Sequence, residues 1–315
     1  MQFLALLSVF LNLFLAIHAA PVRHSKEVDT NKALPPNPPV TARVLFTFAY
    51  YPSGSDVQKE IEVAVELYGT VAPKTVKNFD DLAKGVKAVM AGDDPKVASN
   101  VKTLKFSGTR VTKMVEGQYI VGGEVLPGIT TFSIYGGNWP EENFDLKFDR
   151  PGRLAMWNRG AGKQDSQYMI NLGADGNPEL DGRYTVFGQI VSGLDAFLDE
   201  IQSVEVSDMN QPMRDLILKY AVIESLRISN RDELHAKYLA KLQEFNSGDV
   251  SKGITLAPYM SGNPIEEEAA AQAGAPVMKY LCIIAIIAAA FFAYKRRAEL
   301  LKNTNIVSLK EKLPF

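Results

Sequence analysis

The chain has 315 residues, of which 46% are hydrophobic and 22% charged, and its formal net charge is −2. That composition excludes a disordered chain as the default, and no overall basic field points to nucleic acid as a partner. One cysteine and three histidines leave almost no material for a disulfide framework, a metal site or a histidine-dependent hydrolase.

Residues 1–20 carry an apolar run from Phe3 to Ile17, broken only by Ser8 and Asn12, before His18-Ala19-Ala20. This reads as a signal peptide, because the run is shorter than the ~20 residues a membrane-spanning helix needs. Residues 21–41 form a polar lead-in containing Leu34-Pro35-Pro36-Asn37-Pro38-Pro39. Consecutive prolines remove backbone donors and favour extended chain, so the segment is expected to be a stiff spacer.

Residues 42–228 read as one domain of mixed strand and helix. Ile61, Val63, Val65 and Leu67 alternate with Glu62, Ala64 and Glu66, the period of a half-buried strand. A helix follows: Pro73 suits its first position, Val76, Phe79, Leu82 and Ala83 share one face, and Gly85 suits its end. Further strands are expected over 110–115, 119–121, 153–157, 167–172 and 185–190, with a second helix over 193–201. This balance suggests a closed barrel flanked by helices rather than a parallel sheet.

Within that domain, residues 86–105 make a long connection with a turn at Gly92-Asp93-Asp94-Pro95. It is either a contact loop for clients or a neutral surface insertion, since long surface insertions cost little.

Beyond the domain, residues 229–249 read as a juxtamembrane helix. Asn230 and Glu233 have capping-box spacing, and Leu234, Tyr238, Leu242 and Phe245 form an apolar stripe that could dock on the domain, pair with a partner or serve as a stalk. Residues 250–274 form a linker. Residues 275–294 are apolar apart from Lys279 and are long enough to span a bilayer; Lys295-Arg296-Arg297 then place residues 295–315 in the cytosol. The implied arrangement is a single-pass type I protein of the endoplasmic reticulum or vacuole membrane, with the domain lumenal. Cys282 falls inside the spanning segment, so the lumenal part has no thiol.

A reaction that needs no nucleophile, metal or cofactor fits this chain. Prolyl cis-trans isomerisation is one: its barrier of roughly 18–20 kcal/mol comes from amide resonance. An apolar pocket for the ring and hydrogen bonds to the twisted amide can lower that barrier.

Four blocks carry a specific resemblance. They are Val65-Glu66-Leu67-Tyr68-Gly69-Thr70-Val71-Ala72-Pro73-Lys74-Thr75-Val76-Lys77-Asn78-Phe79; Gly122-Gly123; Ile134-Tyr135-Gly136 through Glu142-Asn143-Phe144 to Pro151-Gly152-Arg153-Leu154-Ala155-Met156; and Leu180-Asp181-Gly182 with Val186-Phe187-Gly188-Gln189-Ile190. Together they resemble the cyclophilin family of peptidyl-prolyl isomerases, and the whole layout is similar to membrane-anchored secretory-pathway cyclophilins of fungi.

The resemblance implies a mostly β, α+β fold: a closed eight-stranded barrel with two capping helices and a groove for proline-containing clients, and no cofactor or metal. It places the catalytic arginine of the family on Lys113, which keeps the charge but loses the planar fork. A groove glutamine falls on Val121, and two wall positions fall on Gln118 and Met169. Tyr119 takes a groove methionine position, Asn158 and Gln167 match an asparagine and a glutamine, and Trp157 replaces a small residue and narrows the groove. Leu180 matches a pocket leucine, and Tyr184 replaces a histidine. The tryptophan of cyclosporin contact is Glu179, so weak cyclosporin binding is implied. These departures imply weak isomerase activity, or a non-catalytic escort or scaffold that binds proline segments.

Overall fold

The computed structural model describes residues 29, 31–89, 93–126, 128, 131–158 and 162–256. The expected signal peptide, spanning segment and cytosolic tail lie outside the described residues, and among those described no helix is long and apolar enough to cross a membrane.

The main sheet has nine antiparallel strands in the order β5-β13-β1-β2-β12-β9-β11-β7-β6. These are β1 (Ala42–Tyr50), β2 (Lys59–Leu67), β5 (Thr109–Arg110), β6 (Lys113–Val115), β7 (Tyr119–Gly122), β9 (Arg153–Met156), β11 (Tyr168–Asn171), β12 (Val186–Ser192) and β13 (Ile217–Ser225). The expectation of eight closed strands becomes a curled sheet of nine because residues 109–115 divide. Across the gap, the Val111 amide donates to Leu216 O at one edge of the sheet and the Thr112 amide donates to Val121 O at the other, each at 2.8 Å. One bent segment therefore contacts both edges.

Helix α1 (Pro73–Lys84) starts on Pro73 and ends at Gly85, whose φ of 94° suits a residue without a side chain. Its N-cap residue, Ala72, has no side chain that can cap. Glu142 substitutes from a distant loop, its carboxylate accepting the Lys74 amide at 3.0 Å and the Thr75 amide at 2.8 Å, where an anion also complements the helix dipole. Val76, Phe79, Leu82 and Ala83 are buried as their spacing requires. Helix α2 (Leu194–Gln202) buries Leu194, Phe197, Leu198 and Ile201.

The sheet has an apolar cluster on each face. Met114, Ile120, Ile170 and Leu154 face each other across β6, β7, β11 and β9, and join the main core with Phe46, Phe79, Phe106, Tyr168 and Phe187. The neighbouring row is Lys113, Val121, Met169, Ala155 and Val186. Directly paired residues share a face and successive residues alternate, so this row lies on the opposite side. Its four apolar members belong to a second cluster with Tyr68, Leu146, Phe148 and Tyr184.

The 86–105 connection is a hairpin, β3 (Val86–Val89) against β4 (Val101–Leu104). Asp94 organises the return: its carboxylate accepts the Lys96 amide and its carbonyl accepts Asn100 Nδ2. A smaller ladder joins β8 (Trp139–Pro140) to β10 (Lys163–Gln164).

The lead-in is not the spacer that its prolines suggest. Leu34, Pro36 and Pro38 are buried, and Leu34 exchanges two backbone hydrogen bonds with Ile254, at 2.8 and 2.9 Å. Pro35 O accepts Arg150 Nη2 at 2.7 Å, and Asn37 Oδ1 accepts Arg153 Nη1 at 3.1 Å. Pro35 offers a carbonyl acceptor without an amide donor, and the Asn37 side chain supplies the second acceptor, so the strap serves both buried guanidinium groups. Replacing Asn37 with alanine is expected to cost about 1–3 kcal/mol, the usual penalty for depriving a buried donor of its acceptor. A urea unfolding midpoint measures it.

A helix expected within 229–249 forms as α3 (Arg231–Asn246), and its Tyr238 sits near Arg153 and Asp149 of the domain. Tyr238 is buried, with its hydroxyl pushed upward by burial and by the nearby Asp145 and Asp149, against the lowering effect of Arg153 and Arg150. The capping box is incomplete: Asn230 makes no side-chain cap, and its Nδ2 bonds Glu233 at 3.4 Å instead.

Candidate functional site

Lys113 opens β6, and its Cα partner Val121 on β7 faces Met169 on β11. Strand register alone therefore sets a cation beside two apolar residues on one face. Met169 is 0% exposed and Val121 1%, so the floor of this surface is covered.

The cover is aromatic. Trp157, just past β9, stacks on Tyr184 with ring centroids 5.3 Å apart and planes 9° apart. Tyr119 lies 5.7 Å from Trp157. Leu180, half-buried, packs against the same cluster. Lys113 Nζ lies 5.2 Å from the Trp157 ring centroid and 5.6 Å from that of Tyr119, within the range in which a cation is attracted to a ring face. Burial raises the Tyr184 hydroxyl, and the nearby Tyr119 acts in the same direction. A neutral tyrosine beside an ammonium on an aromatic ring forms a self-consistent assembly.

Asn158 and Gln167 are buried at the end of the same strands. The Gln167 carbonyl accepts the Trp157 amide at 2.9 Å, and its own amide donates to Asp165 Oδ1 at 2.7 Å. Asn158 Nδ2 donates to Glu141 Oε1 at 2.6 Å and to Arg183 O at 2.7 Å. The other carboxylate oxygen of Glu141 accepts the Thr185 amide at 2.9 Å and the Thr185 hydroxyl at 2.5 Å.

The structure thus brings Lys113, Tyr119, Val121, Trp157, Met169, Leu180 and Tyr184 into one assembly, with Asn158 and Gln167 at its margin. Gln118 stands apart: it is exposed in the β6–β7 turn, and it is held there by its backbone, whose carbonyl accepts the Leu172 amide at 2.8 Å. The turn needs Gly117 at φ 66°, which fixes where Gln118 can lie. Glu141 is the residue that motif reading passes over. Its only sequence signal is the acidic pair Glu141-Glu142, of which one member caps α1 and the other enters this network. Among the described residues no group of three or more His, Cys, Asp or Glu is placed to hold a metal.

The family profile described as cyclophilin type peptidyl-prolyl cis-trans isomerase/CLD matches residues 56–222. Peptidyl-prolyl cis-trans isomerase CPR4 of Saccharomyces cerevisiae is 40% identical over 307 residues, which cover 94% of this chain and 95% of that protein. Peptidyl-prolyl cis-trans isomerase CYP8 of the same yeast is 28% identical, over 91% of this chain and 90% of its own length. A crystal structure of a cyclophilin type isomerase from Cryptosporidium parvum is 24% identical, covers 58% of this chain and 99% of that one, and gives a TM-score of 0.42.

Proposed function

The chain belongs to the cyclophilin-type peptidyl-prolyl cis-trans isomerases, and from that premise we propose that it isomerises Xaa-Pro bonds of secretory-pathway clients slowly, from a groove kept closed at rest. The supporting observation is the position of Lys113 Nζ over Trp157 and Tyr119, above a fully covered Met169. In this reading Lys113 is the electrostatic stabiliser of the twisted amide, Asn158 and Gln167 position the substrate, and Met169, Val121, Leu180 and Tyr119 line the proline pocket. Residues 109–115 act as one bent strand that closes the eight-stranded barrel carrying them.

Two features limit the rate. A lysine offers a point charge where a guanidinium would offer paired donors, and its charge is drawn onto aromatic faces instead of the substrate. Val121 supplies no amide to position the peptide. Removing a well-placed transition-state donor costs 10²–10³-fold in rate. Because Lys113 is already diverted, Lys113→Ala is expected to lower kcat/KM by about tenfold, and Lys113→Arg to raise it. The measurement is isomerisation of a short Ala-Pro peptide by the detergent-solubilised full chain. Acceleration that is indifferent to Lys113→Ala would remove its catalytic role.

The second reading, a membrane-anchored escort or scaffold, is favoured by the covered Met169 and Val121. It requires measurable binding of a proline peptide with no acceleration in the same assay. Weak cyclosporin binding fits either reading, because the aromatic stack occupies the surface and Glu179 stands where the family has tryptophan. We place the domain in the lumen of the endoplasmic reticulum or vacuole, on a single C-terminal span. Protease protection of a tagged tail in sealed microsomes would contradict that topology.

A further inference from the structure

Glu141 links the two segments that supply Trp157 and Tyr184 to the aromatic cover. On one side it accepts Asn158 Nδ2 at 2.6 Å, next to Trp157; on the other it accepts the amide and hydroxyl of Thr185, next to Tyr184. The Arg183 carbonyl takes a second bond from Asn158 Nδ2, so the Asn158 amide plane is fixed from two directions. The Glu142 amide also donates to Thr185 Oγ1 at 3.1 Å. All three groups that meet the Glu141 carboxylate donate to it, and an ionised carboxylate offers an acceptor to each of them.

We propose that Glu141 is a positioning residue of the groove: its carboxylate sets the orientation of the Asn158 side chain and holds the Trp157 and Tyr184 backbones at a fixed separation. This rests on the isomerase reading given above and names a further residue on which that site depends. A glutamine at this position turns one acceptor oxygen into an NH2 that must face either Asn158 Nδ2 or the Thr185 amide, so one side of the clamp is lost. Protonation turns one oxygen into a hydroxyl, which can donate to Thr185 Oγ1 but is a weaker acceptor for the Thr185 amide or Asn158 Nδ2, so the clamp loosens on one side.

Burial raises the Glu141 carboxyl above the usual carboxylate range, against the lowering effect of the bonds from Thr185 and Asn158. Among the described residues, Glu142 adjoins it in its own segment, Arg183 and Tyr184 lie in the segment before β12, and Lys163 on β10 pairs with the preceding residue, Pro140. Glu142 is turned to the α1 amides and Arg183 meets Asn158 through its carbonyl. Because the folded carboxyl titrates higher than the unfolded one, ionisation of Glu141 subtracts stability as pH rises through the folded pKa. A half-buried carboxylate whose ionisation costs stability fits a functional group better than a structural one.

The test uses the full chain in detergent, with asparagine labelled by nitrogen-15, as wild type and as Glu141→Gln. The wild-type Asn158 side-chain amide is expected to move with pH as Glu141 titrates, and kcat/KM for the Ala-Pro peptide is expected to fall on the acid side of that transition. Glu141→Gln should lower kcat/KM about fivefold and flatten both pH profiles. An Asn158 resonance unmoved by pH and by Glu141→Gln would overturn the clamp. So would a moved resonance with kcat/KM within twofold of wild type and the same pH profile. If the wild type shows no acceleration, the isomerase reading fails on its own account, and the clamp is then judged on the resonance and on peptide affinity, which must also fall about fivefold.

Discussion

Trp157→Ala is expected to raise kcat/KM for a proline peptide by about 10–100-fold, an increase from deleting the largest side chain of the groove. The indole stacks on Tyr184 and lies beneath the Lys113 ammonium, with Met169 and Val121 covered below. An aromatic pair contributes roughly 0.5–1.5 kcal/mol beyond its buried area and a cation over a ring about 0.5–2 kcal/mol. A substrate that must displace both sees only the small open fraction, and its apparent affinity falls by that fraction. Alanine removes both contacts, exposes the pocket floor and frees Lys113. Isothermal titration with the Ala-Pro peptide and the isomerisation assay should both show the gain. A variant that keeps its melting temperature but loses activity would show that the indole binds substrate rather than covering its site.

Asp149→Ala is expected to destabilise the domain by about 3–5 kcal/mol, the range for removing one partner of a buried ion pair. Arg150 and Arg153 are each 1% exposed, and Asp149 is the carboxylate they share. Arg150 Nη2 lies 2.7 Å from Asp149 Oδ2, and Arg153 Nε lies 2.9 Å from Oδ1. Without that carboxylate, the acceptors left to the two buried cations among the described residues are neutral ones from the lead-in, Pro35 O and Asn37 Oδ1. Urea unfolding of wild type and variant gives the difference, and a loss under about 1 kcal/mol would show that the strap suffices.

The same cluster sets an acid limit. Burial raises the Asp149 carboxyl, but the attraction of Arg153 and Arg150 and their hydrogen bonds outweigh it, so the net shift is downward. A carboxyl that titrates lower folded than unfolded stabilises above its unfolded pKa near 4, and that stabilisation is lost as pH falls through the folded value. The sign is opposite to that of Glu141, so lowering the pH should weaken the strap while removing an unfavourable charge from that residue.

Elements were legible in the sequence wherever a local pattern decided them. The alternation over Ile61–Leu67 and the helical face of Val76, Phe79, Leu82 and Ala83 appear in β2 and α1. Strands β1 and β13 gave no such signal, although they pair along most of their length. Val44, Phe46, Phe48, Ala49 and Tyr50 are all buried, so β1 ends without a polar face to mark its period. β13 carries exposed Tyr220 and Val222 and is interrupted by a register shift where it crosses Thr47 and Phe48.

The family, the two helices of the domain and the chemical departures at Lys113, Val121 and Trp157 could be read from the chain alone, because each of these is a property of a residue or of a short run. Tertiary structure alone decided that Trp157 lies against Tyr184 and under Lys113, that Glu141 rather than a motif residue holds Asn158, and that the proline-rich lead-in serves two buried arginines. Such pairings depend on strand register and on the acceptor needs of buried charges, and both come into being only when distant parts of the chain meet.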